Sequence, residues 1–415
     1  MIYADFHIHS CYAAACSKDI TLAKLEQYAR LKGLNIIGTG DFQHPKWNQT
    51  LKEELQEDDN GILWSRNKFP FIWQTELSLA YTQDGKGRRI HLVTLVPNRE
   101  VADQFVEWIK SKGRIDYDGR PIFGMSGIEY TEQLMSISKD IEIIPAHAWT
   151  SWFGVLGSKS GFDSVEACFK EKSKYIHAIE TGMSSDPGMN WRIPSLDKYQ
   201  LVSFSDIHSF WPWRFGREAT VFDTELTYKA IIQAIRTGER LQNTIETPPT
   251  YGKYHVDGHR ACGITMTYDQ TKKLNGICPK CKSEMTIGVE YRVEELADPK
   301  RPIGYQRPGA KPYHSLLPLT ELIAAIYDIK QLASKRVWEI YNLLLAKFGT
   351  EYYILLEATH EQLSEVVHPK LADLILANRN NKLTIIPGYD GVYGQVVLTK
   401  EQLLRESKQK KLLDF

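Results

Sequence analysis

The sequence predicts an α/β fold over residues 1–245, with parallel strands arranged as a barrel or a doubly wound sheet. Two observations predict it. Short apolar segments of strand character alternate with amphipathic segments of helical period. Helix-border residues also stand where the segments change, such as Thr21, the N-cap at the start of a helix predicted over 21–32, and Gly33 directly after that helix.

The predicted elements follow in chain order. Strands are predicted over 2–9, 35–39, 70–80, 90–97, 142–148, 176–181 and 201–206. Helices are predicted over 21–32, 99–111, 129–139 and 225–238, and Gly238 ends the last one. After Pro248 and Pro249 the composition shifts to Cys, His, Gly and basic residues, which predicts a zinc-binding module over 246–312. Residues 313–400 have the apolar spacing of helices, and residues 401–415 form a tail.

Composition bounds the class of protein. A chain of 415 residues with 42% hydrophobic content is long enough for two or three domains. The 51 basic and 51 acidic side chains argue against a globally basic nucleic-acid binder, although not against a local basic surface. We find no apolar run of about 18 residues and no signal-peptide pattern, so we expect no membrane partner and a cytoplasmic location.

Histidines and carboxylates stand at or near the ends of the predicted strands. The candidate metal ligands are His7, His9, His44, Glu76, His91, His147, Asp206 and His208. In a βα barrel such residues converge on one mouth, where this set suits two or three divalent metals and the hydrolysis of a phosphoester. Asp206, Asp41 and Glu180 are the candidate catalytic carboxylates, the last two as groups that orient water or metal. His177 lies inside a predicted strand, and we interpret it as structural.

These motifs resemble the polymerase and histidinol phosphatase (PHP) superfamily over about residues 1–240. That family folds as a distorted seven-stranded βα barrel, a (β/α)7 barrel, around a trinuclear metal centre. The resemblance implies three sites, with Glu76 bridging the first two: His7, His9, Glu76 and Asp206; Glu76, His91 and His147; His44 and His208. Many members carry a further histidine after the first motif, where this chain has Ala13, Ala14, Ala15 and Cys16.

A second metal site is predicted in the module over 246–312. Cys262, Cys278 and Cys281, with one histidine, would complete a tetrahedral structural zinc site. The spacing favours His259, because His-x2-Cys mirrors the Cys-x2-Cys pair. The resemblance to the family named below favours His255, and both remain open.

Several residues are candidates for contact with DNA. Trp211, Trp213, Arg214 and Arg217 closely follow His208, and aromatic rings stack on bases while Arg pairs with phosphates. A hydrophobic plug over the barrel rim is the alternative. The further candidates are Asn190, Arg192, Tyr389 and Tyr393. Basic residues within 251–282 and 300–315 form either a polyanion-binding ridge or ordinary surface.

Domain order and motifs together resemble the endonuclease Q family over nearly the whole chain. The resemblance implies cleavage of double- or single-stranded DNA on the 5′ side of deaminated bases (uracil, hypoxanthine, xanthine) and at abasic sites, hence a nucleoid association. The helical region is similar to helix-hairpin-helix modules, with a purely structural helix pair as the alternative. In the tail, Gln409, Leu412 and Phe415 resemble a sliding-clamp-binding peptide, and a frayed tail is the alternative.

Two other functions compete with this interpretation. A small-molecule phosphomonoesterase of the same superfamily would leave residues 246–415 without a role. A non-catalytic DNA-binding protein would not need so complete a ligand set. For cofactors we expect Zn²⁺ in the structural site and in the catalytic centre, with Mg²⁺ or Mn²⁺ as possible activators, because His and carboxylate sites accept several metals.

Overall fold

The computed structural model describes residues 1–398, which form two compact units. The first comprises Met1–Gly182, Pro194–Glu246 and Gly304–His314. The second comprises Met183–Ile193, Thr247–Ile303 and the chain from Ser315 on. Most of the predicted zinc module and most of the helical region thus belong to the second unit, whereas residues 304–314 belong to the first. The predicted division of the chain into four parts stays a prediction. The predicted clamp-binding peptide lies outside the described residues.

Eighteen strands occur in the described residues. They are β1 (Ile2–Asp5), β2 (Ile36–Gly38), β3 (Gln56–Glu57), β4 (Leu63–Trp64), β5 (Pro70–Ile72), β6 (Gln74–Gln83), β7 (Lys86–Leu95), β8 (Ile122–Phe123), β9 (Glu142–Pro145), β10 (Ala178–Glu180), β11 (Gln200–Val202), β12 (Ala219–Phe222), β13 (Leu241–Glu246), β14 (Asp257–His259), β15 (Ile264–Met266), β16 (Tyr313–Ser315), β17 (Thr384–Ile386) and β18 (Gln395–Val397).

Fourteen α-helices occur in the same residues. They are α1 (Leu22–Lys32), α2 (Pro45–Glu54), α3 (Arg99–Lys112), α4 (Gly127–Ile137), α5 (Val165–Phe169), α6 (Pro187–Asn190), α7 (Tyr228–Thr237), α8 (Tyr268–Lys273), α9 (Val289–Leu296), α10 (Leu319–Ile326), α11 (Lys335–Phe348), α12 (Glu351–Leu356), α13 (His360–Ser364) and α14 (Pro369–Arg379). Within residues 1–398, none of these helices combines the length and apolar character needed to cross a bilayer.

The first unit is a mixed α/β structure. Its larger sheet has eight strands in the order β16-β13-β12-β1-β2-β5-β4-β3, in which β1, β2 and β5 run parallel and β12 runs antiparallel to β1. A four-stranded sheet has the order β8-β6-β7-β9, and β10 pairs in parallel with β11. The predicted α/β class is confirmed, whereas the closed seven-stranded barrel stays a prediction.

The alternation of strands and helices predicts parallel strands throughout this unit. Several strand pairs are antiparallel instead. β6 and β7 form a long antiparallel hairpin in which Gln83 pairs with Lys86. The two residues between them, Asp84 and Gly85, both have left-handed backbone, with φ of 52° and 73°. This is the geometry of a type I′ turn, which reverses the chain without a crossover helix.

One hydrophobic core holds the strands of the first unit together. Buried apolar side chains from β1, β2, β5, β7, β9, β10, β11, β12 and α7 meet in it. Phe6, just after β1, packs on Phe204 at 5.4 Å and on Phe222 at 6.4 Å between ring centroids. Because these side chains are removed from water, the ends of the strands are held in fixed relation to one another.

The predicted helix borders agree with the structure. The Thr21 hydroxyl accepts a hydrogen bond from the Lys24 amide at 3.3 Å, and α1 ends at Gly33 with φ of 100°. Thr227 caps α7 in the same way, and Gly238 ends it with φ of 74°. Each cap satisfies backbone groups that the helix itself leaves without partners.

The helices of the second unit pack around buried polar side chains. The carboxylate of Glu351 accepts hydrogen bonds from the Leu319 amide at 2.9 Å and from the Tyr341 hydroxyl at 2.8 Å. Asn378 exchanges two hydrogen bonds with the backbone of Leu317. These bonds tie α10, α11, α12 and α14 into one bundle, as the apolar spacing of this region predicts.

The hairpin turn can be tested with two matched glycines. A Cβ at Gly85 or at Gly87 would meet no atom within 4 Å, but only Gly85 has a positive φ. We expect Gly85→Ala to lower the free energy of unfolding by about 1 kcal/mol, because an L-residue is strained in left-handed backbone. Gly87→Ala should leave it nearly unchanged. Urea unfolding followed by circular dichroism measures both, and equal losses would contradict the turn geometry.

Candidate metal centre

Four predicted ligands of the first unit meet around one point. They are His7, His9, Glu76 and Asp206, whose ligand atoms all lie within 4.8 Å of one another. His9 Nε2 is 3.2 Å from Glu76 Oε2 and 3.2 Å from Asp206 Oδ1. His7 Nε2 is 3.4 Å from Glu76 Oε1. An isolated parallel bridge between Ile8 and Ile207 aligns the two loops that supply the histidines and the aspartate.

A second group shares one of these ligands. Glu76 Oε1 is 2.9 Å from His91 Nδ1 and 3.2 Å from His147 Nε2, and the two histidine nitrogens are 3.2 Å apart. Glu76 therefore belongs to both groups, which is the arrangement that the family resemblance implied. A carboxylate shared in this way can bridge two cations.

The hairpin of β6 and β7 explains how the shared carboxylate is positioned. In its register Ser78 faces His91 and Glu76 faces Val93, so Glu76 and His91 are diagonal neighbours on one side of the hairpin. β9 pairs with β7 on the other edge, and His147 follows β9 by two residues. Two hydrogen-bonded strand pairs thus bring the second group together.

Buried carboxylates hold the two histidines of the first group. Glu180 accepts a hydrogen bond from His7 Nδ1 at 2.9 Å, and Asp41 accepts one from His9 Nδ1 at 2.9 Å. Each imidazole therefore turns its Nε2 lone pair toward Glu76 and Asp206. Asp41 and Glu180 were predicted to orient water or metal. Both lie behind the rings, where each carboxylate can orient a histidine, and their predicted role stays a prediction.

The inner atoms of the first group fit a cation. His7 Nε2, His9 Nε2, Glu76 Oε1 and Asp206 Oδ1 are all buried, and none makes a hydrogen bond within the described residues. Four buried acceptor atoms within 4.8 Å of one another repel each other, so the arrangement is costly unless a positive charge lies among them. Imidazole and carboxylate ligands are those that zinc, manganese and iron accept.

The pKa shifts of Glu76 and His7 also indicate that positive charge is favoured in the first group. Burial alone would raise the pKa of Glu76, yet His91, Arg120 and His7 hold it well below its usual range. Burial would likewise lower the pKa of His7, but Glu180, Glu76 and Asp206 raise it well above its usual range. Positive charge is therefore stabilised at the centre of the group, where a metal would supply it.

Backbone strain accompanies the site. Asp41, His147 and Asp206 adopt φ of 39°, 30° and 46°, in the left-handed region that residues other than glycine rarely enter. Next to them, a Cβ on Gly182 would lie 2.7 Å from the Cβ of His147, so this position must be glycine. Such strain persists only where surrounding structure over-determines the backbone, and it clusters at functional sites.

The residues predicted for a third metal do not assemble in the same way. His44 stacks on Tyr12 with ring centroids 4.3 Å apart, and His208 Nδ1 lies 3.7 Å from Asp206 Oδ1. Within the described residues, neither histidine belongs to a group of three close ligands. The alanines at 13–15 offer no ligand atom that would complete such a group. The third metal stays a prediction.

Arg120 is a charged residue of this site that sequence reasoning missed. Its Nη1 lies 3.0 Å from Glu76 Oε2, and its side chain is 22% exposed. A single arginine between glycine and proline has no motif that would mark it. The signal lies in strand pairing, because β8 lies parallel to β6 and brings the residue before Pro121 alongside Glu76.

In the aromatic segment after His208, one ring is buried in the protein and two are partly exposed. Phe210 is buried against Tyr28 at 5.2 Å between ring centroids, which agrees with the plug alternative for this residue. Trp211 and Trp213 are half-buried and stack on each other at 5.2 Å, with planes only 6° apart. Arg214 and Arg217 are also half-buried, and Arg217 donates a hydrogen bond to the Ser205 carbonyl at 3.1 Å.

The structure gives Asn190 and Arg192, predicted to contact DNA, internal partners in the second unit. The Asn190 amide donates to the Ser185 hydroxyl at 3.1 Å and to the Asp186 carbonyl at 2.8 Å. Arg192 forms a two-pronged ion pair with Glu294 at 2.5 and 2.9 Å, and its side chain is 10% exposed. Both side chains therefore stabilise the unit, because buried polar groups must be paired.

Two tyrosines predicted to contact DNA lie in the same unit. Tyr389 is half-buried, and its ring lies so close to Gly258 that a Cβ there would collide with it. Tyr393 is 38% exposed and lies 6.1 Å from Tyr251 between ring centroids. Of the two, Tyr393 is the one whose ring is open to a ligand.

A closed thiolate group lies in the second unit. His259, Cys262, Cys278 and Cys281 form it, with all ligand atoms within 4.8 Å of one another. Cys281 Sγ is 3.3 Å from His259 Nδ1, and hydrogen bonds from Ser283 lower the pKa of the Cys281 thiol to about 6. The group fits a tetrahedral zinc site. His255, which the family resemblance favoured, lies outside it.

Two matching turns present these ligands. β14 ends at His259, a short turn carries Cys262, and Gly263 with φ of 66° leads into β15. Around the second pair, the Cys278 amide donates to the Ser283 carbonyl at 2.8 Å. The mirrored spacing in the sequence thus reflects mirrored geometry, which is the physical reason that His259 rather than His255 lies beside the cysteines.

Comparison with known proteins gives a family match and similar curated relatives. Residues 318–382 match the family described as MJ0043 C-terminal domain. The chain is 31% identical over 290 residues to the uncharacterized protein MJ0043 of Methanocaldococcus jannaschii. This match covers 68% of the chain but only 35% of that protein, so the chain spans about a third of its length.

Two solved structures are similar over nearly the full length. One is the lesion-specific endonuclease PfuEndoQ from Pyrococcus furiosus, at 32% identity and a TM-score of 0.85, with 97% of this chain and 96% of that chain covered. The other is an endonuclease Q in complex with a 27-mer duplex that carries an abasic lesion at the active site. It has 32% identity and a TM-score of 0.86 over 96% of this chain and 97% of that chain.

The positioning role of Asp41 is open to test. Asp41→Asn keeps the size of the side chain but weakens its hold on His9 Nδ1, so we expect metal affinity at the first group to fall about 10- to 100-fold. Asp19→Asn, at an exposed position, is the matched control and should bind metal normally. Titration against a chelator with a known affinity measures both, and unchanged affinity in Asp41→Asn would contradict the role.

The zinc ligand can be identified with a matched pair of histidine variants. We expect His259→Ala to lose the metal of the thiolate group, because three thiolates leave the tetrahedral site incomplete. His255→Ala should keep it. Elemental analysis of the purified variants measures zinc per chain, and retention in His259→Ala with loss in His255→Ala would reverse the assignment.

Proposed function

Because the chain belongs to the endonuclease Q family, we propose that it hydrolyses damaged DNA on the 5′ side of a deaminated base (uracil, hypoxanthine or xanthine) or an abasic site. The single observation that carries a metal-dependent hydrolysis is the sharing of Glu76 between two buried ligand groups. Damaged DNA as the substrate is supported by the full-length similarity to a lesion-specific endonuclease and to an endonuclease Q that holds an abasic duplex.

The residues of the chain fit the requirements of phosphodiester hydrolysis. Divalent metals in such a centre supply an activated water and stabilise the attacking and leaving oxygens. His7 and His9 are held by carboxylates with their Nε2 atoms directed inward, so the site needs no rearrangement to bind cations. Asp206 is the ligand of the first group with a partly exposed side chain, at 28%, and would face the substrate.

Surfaces for the nucleic acid belong to the same proposal. The stacked pair Trp211 and Trp213, three and five residues beyond His208, offers flat aromatic area suited to an unstacked base. The exposed Tyr393 offers a similar surface in the second unit. We assign Zn²⁺ both to the group of His259 and three cysteines and to the catalytic centre. Mg²⁺ or Mn²⁺ would activate cleavage.

The decisive experiment compares end-labelled duplexes that differ at one position. The purified protein, with Mg²⁺ or Mn²⁺ added, should nick a uracil, hypoxanthine or abasic duplex on the 5′ side of the lesion and leave the undamaged duplex intact. Asp206→Asn should slow single-turnover cleavage on the order of a thousandfold, because loss of a ligand charge removes several kcal/mol of stabilisation by the metals. Asp19→Asn is the control and should cleave normally.

The outcomes separate the competing functions. Equal nicking of damaged and undamaged duplexes would overturn the lesion specificity. Turnover of an aryl phosphate without any nicking would instead favour the small-molecule phosphomonoesterase. Unchanged cleavage by Asp206→Asn would overturn the assignment of the metal centre as the place of reaction.

A further inference from the structure

A buried arginine lies inside a site built to attract cations. Apart from the histidines, the charged residues of the two ligand groups are carboxylates, yet Arg120 lies 3.0 Å from the shared one, Glu76. We propose that Arg120 is a catalytic residue that binds a non-bridging oxygen of the phosphodiester to be cleaved. This inference rests on the proposed function and adds the group that recognises the reacting phosphate.

Strand pairing sets the place of Arg120. β8 runs parallel to β6, with Ile122 beside Ser78 and Phe123 beside Leu79. Two residues earlier in the same register, Arg120 lies beside Glu76. The Ser78 amide also donates to the Pro121 carbonyl at 3.2 Å. Strand pairing therefore places the backbone of Arg120 beside the metal centre, and the ion pair with Glu76 directs its guanidinium into the site.

The segment before Arg120 is fastened to the loops of the first motif. The Gly119 amide donates to the Tyr12 carbonyl at 3.1 Å, and the Asp118 carboxylate accepts from the Ala14 amide at 3.0 Å. The Gly119 carbonyl accepts from the side-chain amide of Gln43 at 2.5 Å. A Cβ on Gly119 would collide with the carboxylate of Asp41, so only glycine permits this close approach. Arg120 therefore has little freedom to leave the site.

Charge explains why an arginine belongs there. Glu76 and Asp206 are the carboxylates of the two ligand groups, and their two negative charges are fewer than the positive charges of two divalent cations and the Arg120 guanidinium. With cations in both groups, the excess positive charge is stabilised by an anion, and a phosphodiester is the anion of the proposed reaction. A guanidinium has five donors in a fork that matches phosphate oxygens, and Glu76 uses only part of it.

The partial exposure of Arg120 allows its guanidinium to contact the phosphodiester. The Arg120 side chain is 22% exposed although Glu76 is fully buried, so part of the guanidinium faces outward from the site. Arg114, six residues earlier in the same loop, provides a contrast. Its side chain is 74% exposed and forms an ion pair with Asp116 at 3.0 Å. The two arginines share a loop but differ in their relation to the metal centre.

The test uses Arg120→Ala and Arg120→Lys, with Arg114→Ala as the matched control. Binding is measured by fluorescence anisotropy in an Asp206→Asn background that blocks cleavage. Two uracil duplexes are compared, identical except for a neutral methylphosphonate at the linkage 5′ to the uracil. Single-turnover cleavage and metal per chain are measured for each single variant, because a merely structural loss would also lower metal content.

We expect Arg120→Ala to weaken binding of the charged duplex about tenfold and of the methylphosphonate duplex not at all, since the neutral linkage offers no charge. Cleavage should slow about 100-fold with metal content unchanged, Arg120→Lys should recover part of it, and Arg114→Ala should match wild type. Equal weakening on both duplexes, metal loss in proportion to rate loss, or full activity of Arg120→Ala would overturn the inference. A wild-type protein that fails to nick uracil DNA would instead overturn the proposed function.

Discussion

The carboxylate of Glu76 is the interaction on which the rest of the first unit depends. It is fully buried, and its oxygens lie within about one hydrogen-bond length of three imidazoles and a guanidinium. A buried carboxylate is costly unless positive charge surrounds it. The hairpin, the paired strand β8 and the loop after β9 each deliver one partner to this oxygen pair. The fold around the site is therefore an arrangement of strand ends that converge on one negative charge.

The histidines that face Glu76 are fixed from behind by further carboxylates. Glu180 and Asp41 hold one nitrogen of His7 and His9 and so decide which nitrogen points inward. Asp5 connects this layer to the loop of Asp206, because it accepts the Ser205 amide at 3.0 Å, and burial raises its pKa to about 6. The two histidines are thus oriented by hydrogen bonds inside the protein, which direct their Nε2 atoms toward Glu76 and Asp206.

Much of this was predictable from the sequence. The ligands of both groups were recognised because His and carboxylate residues recur at strand ends, and Thr21 and Gly33 marked a helix by local chemistry alone. Arg120 was missed because its meaning depends on the pairing of β8 with β6, which no short motif encodes. The contacts of Asp41 and Glu180 with Nδ1 of His9 and His7 could not be predicted, because spacing indicates which residues meet and not which atom of a ring each one touches. The Asp-Gly pair at 84 and 85 is itself a sequence signal for a hairpin turn. It was not used because the predicted strands ended at residue 80 and began again at residue 90, short of the turn on both sides.

The register of that hairpin has a consequence for how the protein matures. Side chains alternate along a strand, so a slip of one residue between β6 and β7 would turn either Glu76 or His91 to the opposite side of the sheet. Such a misfolded hairpin would keep most of its hydrogen bonds and yet hold no bridging carboxylate. A cation that binds Glu76 and His91 together would therefore favour the native register, because only the correctly paired chain gains its binding energy.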